Sequence, residues 1–437
     1  MAFIFVLMLP ISAKTQSYTS YFTGNQTDVV VKSSGGICMM GGARENDEAM
    51  RWFLRQANEG DVLVLRASGA DGYNQYLFSE LGVKVNAVET IVFHQNSAAN
   101  EPYIQQKIRQ AEAIWMAGGN QWNYVSYWGT SPIGRLINEA IAQRNVVIGG
   151  TSAGMAVLGR YYFSAEKGTV SSENALLNPF NTSVTVDSTQ FLKVPFLNQV
   201  ITDTHYDNPS RKGRHMVFMS RIFSEFNPSV KGIAADEFTS VVVEKSGLAR
   251  VYGEYPARDD TAYFIQTNCE QNPNKPEILA PGMPLTWYVG GAALKVYAVR
   301  GTINGTNSFD LKDWKTGNGG VWMDWSVQKG IFVEKSSGPM LCSTVSINQE
   351  SAPQLRSNMK IFPNPTKGIV HLAREDGMAL KGVFKVYDVV GKLVKKTTFN
   401  TVCSPCIMDV VSLKNGTYFL QNTTQEKVIY QHKFVKY

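Results

Sequence analysis

Val147-Ile148-Gly149-Gly150-Thr151-Ser152-Ala153-Gly154-Met155-Ala156-Val157-Leu158 carries an apolar run into Gly-x-Ser-x-Gly and then into a second apolar run with helical spacing. Glycines two residues either side of Ser152 permit a turn too tight for a Cβ. A strand, a sharp turn and a helix in that order form the setting a nucleophile elbow requires. Ser152 would then project from the C-terminal edge of a sheet. There the free N–H groups of the first helical turn, that of Ala153 in particular, can hydrogen-bond a developing oxyanion. The plainer alternative is an ordinary glycine-rich β–α turn.

Outward from this segment, residues 35–160 alternate short apolar runs with helical patterns, the mark of a parallel sheet covered by helices on both faces. Strands are expected at Ile37–Met40, Asp61–Arg66, Ala87–Phe93, Ile114–Ala117 and Val146–Gly149, with helices at Asn46–Asn58 and Pro132–Gln143. The fold class is therefore α/β, a doubly wound, mainly parallel sheet. Further on, Gln199–Thr202 reads as a strand, Lys212–Phe226 as a helix, and Ser240–Val251 and Leu294–Val299 as β-rich. Frequent Asn, Gly, Ser and Thr over 268–318 suggest loops and sheet-edge extensions rather than a new core. A polar linker at 343–358 precedes period-two alternation over Lys360–Leu372, Gly382–Val394 and Thr417–Gln421, expected to be a small antiparallel β-sandwich spanning 359–437. The α/β unit with its β-rich extension spans 17–342.

With 437 residues, 44% hydrophobic, the chain has material for more than one folded unit. Its Lys plus Arg total of 42 exceeds Asp plus Glu, 36, but residues 357–437 alone hold 12 basic and 5 acidic side chains. The first 356 residues are thus nearly neutral, which argues against a nucleic-acid partner. Residues 1–16 include the one membrane-like stretch, too short to span a bilayer and suited to a signal peptide. Five cysteines leave at least one unpaired, and Cys403 and Cys406 are spaced for a local disulfide or two buried thiols rather than for a four-ligand zinc site. Neither a metal nor a cofactor is expected.

A serine nucleophile needs a base. His371 and His432 fall in the C-terminal sandwich, which leaves His94, His205 and His215. His94 can be a polar strand end and His215 reads as a surface residue near a helix start. His205 closes a β-like run, Val200 to Thr204, at the sheet edge where such folds bind ligands, and is the favoured base. Glu166, Glu173 and Asp187 are candidates for the carboxylate that orients it, and spacing does not decide among them. A second turn, Gly118-Gly119-Asn120-Gln121, ends another strand: either glycine N–H can supply an oxyanion donor, while Gln121 can meet substrate. Met39-Met40-Gly41-Gly42 reads as a first β–α turn, since it lacks the Lys-Ser/Thr of a phosphate loop.

The set Gly118-Gly119-Asn120-Gln121, Gly149 to Met155 and Asp203-Thr204-His205-Tyr206, followed by Arg211, Gly213 and Arg214, resembles the cyanophycinase and dipeptidase E family of serine peptidases over about residues 30–250. The resemblance implies a class I glutamine-amidotransferase-like fold and cleavage next to aspartyl residues. It implies Ser152 as nucleophile, His205 as base, Gly119 and Ala153 as oxyanion donors, and Gln121, Asp203, Thr204, Arg211 and Arg214 around the substrate. Counting along the family pattern favours Glu173 as the acid, with Glu166 second. Pro209 stands where the cyanophycin-degrading members carry an arginine, which puts cyanophycin itself in doubt. The C-terminal motifs Ile361 to Val370, Val386 to Val394 and Leu413 to Leu420 are similar to the sorting domain read by the type IX secretion system of Bacteroidota.

These readings converge on a secreted or surface-attached serine hydrolase acting on peptide or isopeptide bonds of acidic peptides. The secretion machinery would be a partner through residues 359–437, and the oligomeric state, a homodimer included, is left open. The rival reading is a silent surface-binding protein that keeps the fold. Amidotransferase chemistry needs a cysteine where Ser152 stands.

Overall fold

The structure, a computed structural model, describes residues 16–188, 191–342, 359–374, 379–388, 392–424 and 427–437. Residues 1–15 of the expected signal segment and the whole expected linker lie outside them. The chain divides into two compact units at Cys342/Ser343.

In the first unit the strands are β1 (Tyr18–Gly24), β2 (Ile37–Met40), β3 (Asp61–Arg66), β4 (Ala87–Phe93), β5 (Ala113–Met116), β6 (Val147–Thr151), β7 (Tyr162–Phe163), β8 (Val186–Asp187), β9 (Val200–Asp203) and β10 (Lys231–Ala235). They continue as β11 (Ser240–Val243), β12 (Leu248–Tyr252), β13 (Thr261–Thr267), β14 (Leu294–Arg300), β15 (Asn307–Asp310), β16 (Gly317–Asn318), β17 (Gly320–Gln328) and β18 (Ile331–Ser336). The α-helices are α1 (Asp47–Gln56), α2 (Gly72–Gln75), α3 (Pro102–Gln110), α4 (Gln121–Trp128), α5 (Pro132–Arg144), α6 (Ala153–Ala156), α7 (Ser172–Leu177) and α8 (Lys212–Glu225).

One sheet runs β1-β4-β3-β5-β6-β2-β11-β12-β15-β16. Its centre, β4-β3-β5-β6-β2, is parallel, and both flanks are antiparallel. The central strands are buried along most of their length and mainly apolar, because both faces are covered. In β2, Ile37 and Met39 join the core on one face and Cys38 and Met40 the core on the other. Helix α1 starts where Asn46 accepts the Ala49 N–H and buries Ala49, Met50, Phe53 and Leu54 on the second face. Helix α5 begins on a Ser131 cap with Pro132 in its first turn and ends on a left-handed Asn145.

The expectation for 268–318 holds in part: β15 and β16 extend the edge of the first sheet, but Leu285, Trp287, Ala293 and Leu294 join a second core rather than loops. Strands β9, β10, β13, β14, β17 and β18 form a second, six-stranded sheet in the order β18-β17-β14-β13-β10-β9. Ile233, Ala235, Phe264 and Val299 on one side of it join the first sheet's core. On the other side Ala234, Ile265, Val296 and Trp325 pack with Met216, Val217 and Met219 of α8. The polar composition that suggested loops belongs to the turns. The inner strands β10, β13 and β14 are buried on two faces, while the edge strand β18 is largely exposed. The mainly parallel single sheet is likewise replaced by a mixed sheet with a second one beside it.

Cys269 and Cys342 form a disulfide across 73 residues, Cys403 and Cys406 form the local one, and Cys38 is a buried free thiol. The second unit holds two antiparallel sheets, one of three strands (Met359–Phe362, Ile369–Arg374, Cys406–Asp409) and one of four (Leu380–Tyr387, Leu393–Cys403, Gly416–Thr424, Lys427–Lys436). Val370, Leu372, Phe384, Val386, Met408 and Leu420 form a core of its own.

Two separate cores imply independent folding. A chain ending at Cys342 is expected to melt cooperatively within a few degrees of the corresponding transition in the full chain, as read by calorimetry. A truncation that is unfolded or aggregated would refute that independence.

Candidate active site

The turn after β6 places Ser152 at φ 50°, ψ −115°, a conformation that costs about 1–3 kcal/mol in a non-glycine residue and is held by its surroundings. Gly154 makes the turn possible: a Cβ there would lie 2.0 Å from the Met116 carbonyl oxygen at the end of β5. Ala153, first residue of α6, has no intrahelical acceptor for its N–H. Gly118 lies alongside, where a Cβ would sit 3.6 Å from that of Ser152. Tyr124 Oη holds this second turn by donating to the carbonyls of Ala117 and Gly118 at 2.8 and 3.2 Å.

His205 follows β9 and Glu237 follows β10, so both come from the second sheet. His205 Nε2 lies 2.8 Å from Ser152 Oγ, and His205 Nδ1 lies 2.6 Å from Glu237 Oε1. The hydrogen bond from His205 holds the Glu237 carboxyl below its ordinary pKa, outweighing the upward push of burial. An ionised Glu237 can only accept, so Nδ1 carries the proton and Nε2 is left to accept from the Ser152 hydroxyl.

The turn after β2 braces this arrangement. Gly42, at φ 118°, lies so close that a Cβ would come within 2.5 Å of the imidazole. Gly41 O accepts the His205 N–H at 2.8 Å, Gly42 O accepts the Phe238 N–H at 3.1 Å, and Gly41 N–H donates to Thr239 O at 2.9 Å. What reads in sequence as a first β–α turn is thus the bracket for the residues flanking Ser152.

The expected acid is corrected. Glu173 is exposed on α7, Glu166 pairs with Lys167, and Asp187 interacts with Tyr162; it is Glu237 that meets His205. The acid lies after both serine and histidine in the chain, not between them. Its signal was the same as theirs: an apolar strand, Gly232 to Ala235, ending in polar residues at the sheet edge. His215, expected at the surface, is fully buried, with Nδ1 3.1 Å from Tyr206 Oη, and burial lowers its pKa to about 4. His94 lies away from this group, its Nε2 2.8 Å from Thr19 Oγ1 on the edge strand.

The pocket residues divide into two groups. Asp203 and Arg214 are each 3% exposed and clasp one another, Arg214 Nε donating to Asp203 Oδ2 at 2.9 Å and a second guanidinium nitrogen donating to Oδ1. Asp203 Oδ1 also accepts the Thr204 N–H, and Arg214 reaches Thr169 Oγ1 and the Val170 carbonyl. Burial raises the Asp203 pKa, but the charge and hydrogen bonds of Arg214 outweigh it, and the net shift is downward. This pair and the buried Thr204 support the His205 turn from beneath, so Arg214, which the resemblance places around the substrate, is committed to Asp203 instead. Arg211 and Gln121 remain half-buried. Arg211 spends one nitrogen on the Thr204 carbonyl at 2.9 Å, and Gln121, at the start of α4, donates to Phe163 O at 3.3 Å.

Fold and site together define a serine peptidase or hydrolase. Within that class the chain belongs to peptidase family S51, whose sequence model matches residues 29–251. Residues 360–437 match the secretion system C-terminal sorting domain, so the chain carries a type IX sorting unit. Among curated proteins it is similar to the cyanophycinase of Geminocystis herdmanii, 27% identical over 41% of this chain and 59% of that protein. The cyanophycinase of Trichormus variabilis is 24% identical over 50% of this chain and 70% of its own length. The chain therefore spans well under the whole of either relative. A solved peptidase from an acI-B1 actinobacterium aligns over 64% of this chain and 98% of its own at 12% identity, with a TM-score of 0.40.

Breaking a buried ion pair strands a charge. Asp203→Asn is therefore expected to lose about 3–5 kcal/mol of stability in denaturant unfolding, while a loss below about 1 kcal/mol would show that the pair is not a support. Next to Glu237, burial raises the Asp236 pKa to about 8, with Asp207 adding to the effect, and its Oδ1 has no partner among the described residues. For an acid whose folded pKa is raised, stability falls as pH rises from the unfolded pKa to the folded one. Asp236→Asn should thus gain stability relative to the parent between about pH 5 and about pH 8 in thermal melts; parallel pH curves would contradict it.

Proposed function

We propose that this chain is an exported serine peptidase that hydrolyses peptide or isopeptide bonds beside acidic residues, with Ser152 as nucleophile, His205 as general base and Glu237 as the carboxylate that orients it. The carrying observation is the unbroken line from Ser152 Oγ through His205 to Glu237, at 2.8 and 2.6 Å. As Ser152 Oγ attacks the scissile carbonyl carbon, His205 Nε2 takes its proton. The imidazolium so formed is stabilised by Glu237, and the oxyanion is held by the Gly119 and Ala153 N–H groups. His205 then protonates the leaving amine, and water hydrolyses the acyl-enzyme by the reverse sequence of proton transfers.

Specificity for acidic residues is supported by Arg211, half-buried and with one guanidinium nitrogen engaged, by Thr204 O, among the described residues, and by the half-buried Gln121 at the start of α4. The relatives named cyanophycinase suggest aspartyl substrates. Pro209, which carries no charge, and the engagement of Arg214 by Asp203 favour an acidic peptide other than cyanophycin. The sorting unit supports delivery by type IX secretion to the cell surface or beyond it, an oxidising setting consistent with two disulfides.

A fluorophosphonate should label Ser152, located by mass spectrometry. Ser152→Ala should lower turnover by more than about a thousandfold, and Glu237→Gln by about a thousandfold or more. Glu173→Gln should stay within about twofold of the parent. A folded Ser152→Ala enzyme that keeps more than about a hundredth of its activity would refute the nucleophile, and an inactive Glu173→Gln beside an active Glu237→Gln would refute the acid.

A further inference from the structure

We propose that Asn208 is a positioning residue for the reaction, holding the second carboxylate oxygen of Glu237 so that the first stays on His205. This role rests on the peptidase reading above and adds a residue to it. Glu237 Oε1 lies 2.6 Å from His205 Nδ1, and a single contact of that kind leaves a carboxylate free to turn about its terminal bond. A glutamate, with one rotatable bond more than an aspartate, gains more from having its other oxygen held. Asn208 Nδ2 lies 3.5 Å from that oxygen, Oε2. Because an ionised carboxylate only accepts, the amide must present its NH₂ group here. Catalytic hydrogen bonds of this length tighten when substrate closes the site.

The backbone places Asn208 where it can act. Tyr206 to Arg211 fold into a small hairpin between His205 and α8: Arg211 N–H donates to the Tyr206 carbonyl at 2.9 Å, and Asp207 pairs with Ser210 in an antiparallel bridge. The Ser210 carbonyl accepts from Ser172 Oγ of α7 at 2.7 Å. The hairpin is also joined to the backbone of the acid, since Asp207 Oδ1 accepts the Glu237 N–H at 2.9 Å. The following residue, Phe238, donates its N–H to Gly42 O at 3.1 Å. Glu237 is thus fixed by the hairpin on one side of its peptide unit and by the turn after β2 on the other. Asn208 is the chain neighbour of the residue that makes the first of these contacts. Pro209, next along, has neither a side-chain donor nor a charge with which to compete for Oε2.

The charges around Glu237 agree with this role. The hydrogen bond from His205 does most to hold its carboxyl below the ordinary pKa, and Asn208 and the charge of Arg211 act in the same direction, against burial. Of the neighbouring acids, Asp236 is raised to about 8 by burial and by Asp207, and Asp207 is turned to the Glu237 N–H. An amide supplies a donor without a charge. It therefore steadies the carboxylate without drawing it off the imidazole, as the stronger charge-assisted bond of a lysine or arginine would.

The test uses the full chain and compares the parent with Asn208→Ala, Asn208→Asp, Glu237→Gln and the double variant Asn208→Ala/Glu237→Gln. Asn208 is exposed, so truncating it leaves no cavity, and thermal melts check that each variant folds. The first readout is the rate at which a small fluorophosphonate labels Ser152, which reports activation of the nucleophile independently of peptide contacts. Asn208→Ala should slow labelling about tenfold and lower kcat to match, with KM within about twofold of the parent. In the Glu237→Gln background the same substitution should change labelling by less than about twofold, because a residue that acts through Glu237 then has nothing left to hold. In Asn208→Asp a second carboxylate beside Glu237 favours the imidazolium, so the acid limb of kcat/KM should move up by about half a pH unit or more. A parent-like labelling rate in Asn208→Ala, an equal loss in both backgrounds, or an unmoved acid limb overturns the role of Asn208 alone. If the parent is not labelled at Ser152 and cleaves no aspartyl dipeptide, the peptidase reading falls and this proposal with it.

Discussion

The site depends on a splice between two sheets. Ser152 stands on the first sheet, while His205 and Glu237 stand at the ends of neighbouring strands of the second. Three backbone hydrogen bonds from Gly41 and Gly42 join the edges, to His205, Phe238 and Thr239. A displacement of about 1 Å between the sheets would take Ser152 Oγ out of hydrogen-bond range of the imidazole, and errors of that size are what cost catalysts most. This accounts for the paired glycines: any side chain at position 42 would occupy the space of the histidine ring.

Charge around the site is layered. The lowest layer, Asp203 with Arg214, is buried and closed on itself, and its function is to hold the turn that carries His205. The next layer, Glu237, is half-open and touches the imidazole. The outer layer holds the guanidinium group of Arg211, half-buried and with one nitrogen on the Thr204 carbonyl. The same residue type thus serves opposite ends according to depth, because a buried guanidinium must be fully paired whereas one at the rim stays solvated until a ligand arrives.

The sorting unit is chemically separate. Its core is independent of the one that supports the site, and the division falls directly after Cys342, which a disulfide ties back to Cys269. The catalytic unit thus has a covalent stop at its C-terminal end, before the polar stretch that leads to the sorting unit.

The sequence by itself determined the local elements around Ser152. The elbow glycines, the apolar strands from Ile37 to Thr151, the Asn46 cap of α1 and the Ser131-Pro132 start of α5 all follow from interactions within a few residues, and periodicity and turn chemistry record such interactions. His205 was also legible, because only five histidines had to be sorted by the elements they end. Tertiary structure alone decided the rest. Glu237 ends an apolar strand as His205 does, but that these two ends meet, 32 residues apart, is decided by the pairing of β9 with β10, a contact no local pattern encodes. The second sheet was hidden for a related reason: its strands come from distant parts of the chain, and only their pairing shows that the inner ones are buried on both faces. Arg214, which the family resemblance places around the substrate, is a support because its burial opposite Asp203 is fixed by the packing of α8 on the second sheet, and burial decides whether a charge can meet a ligand at all.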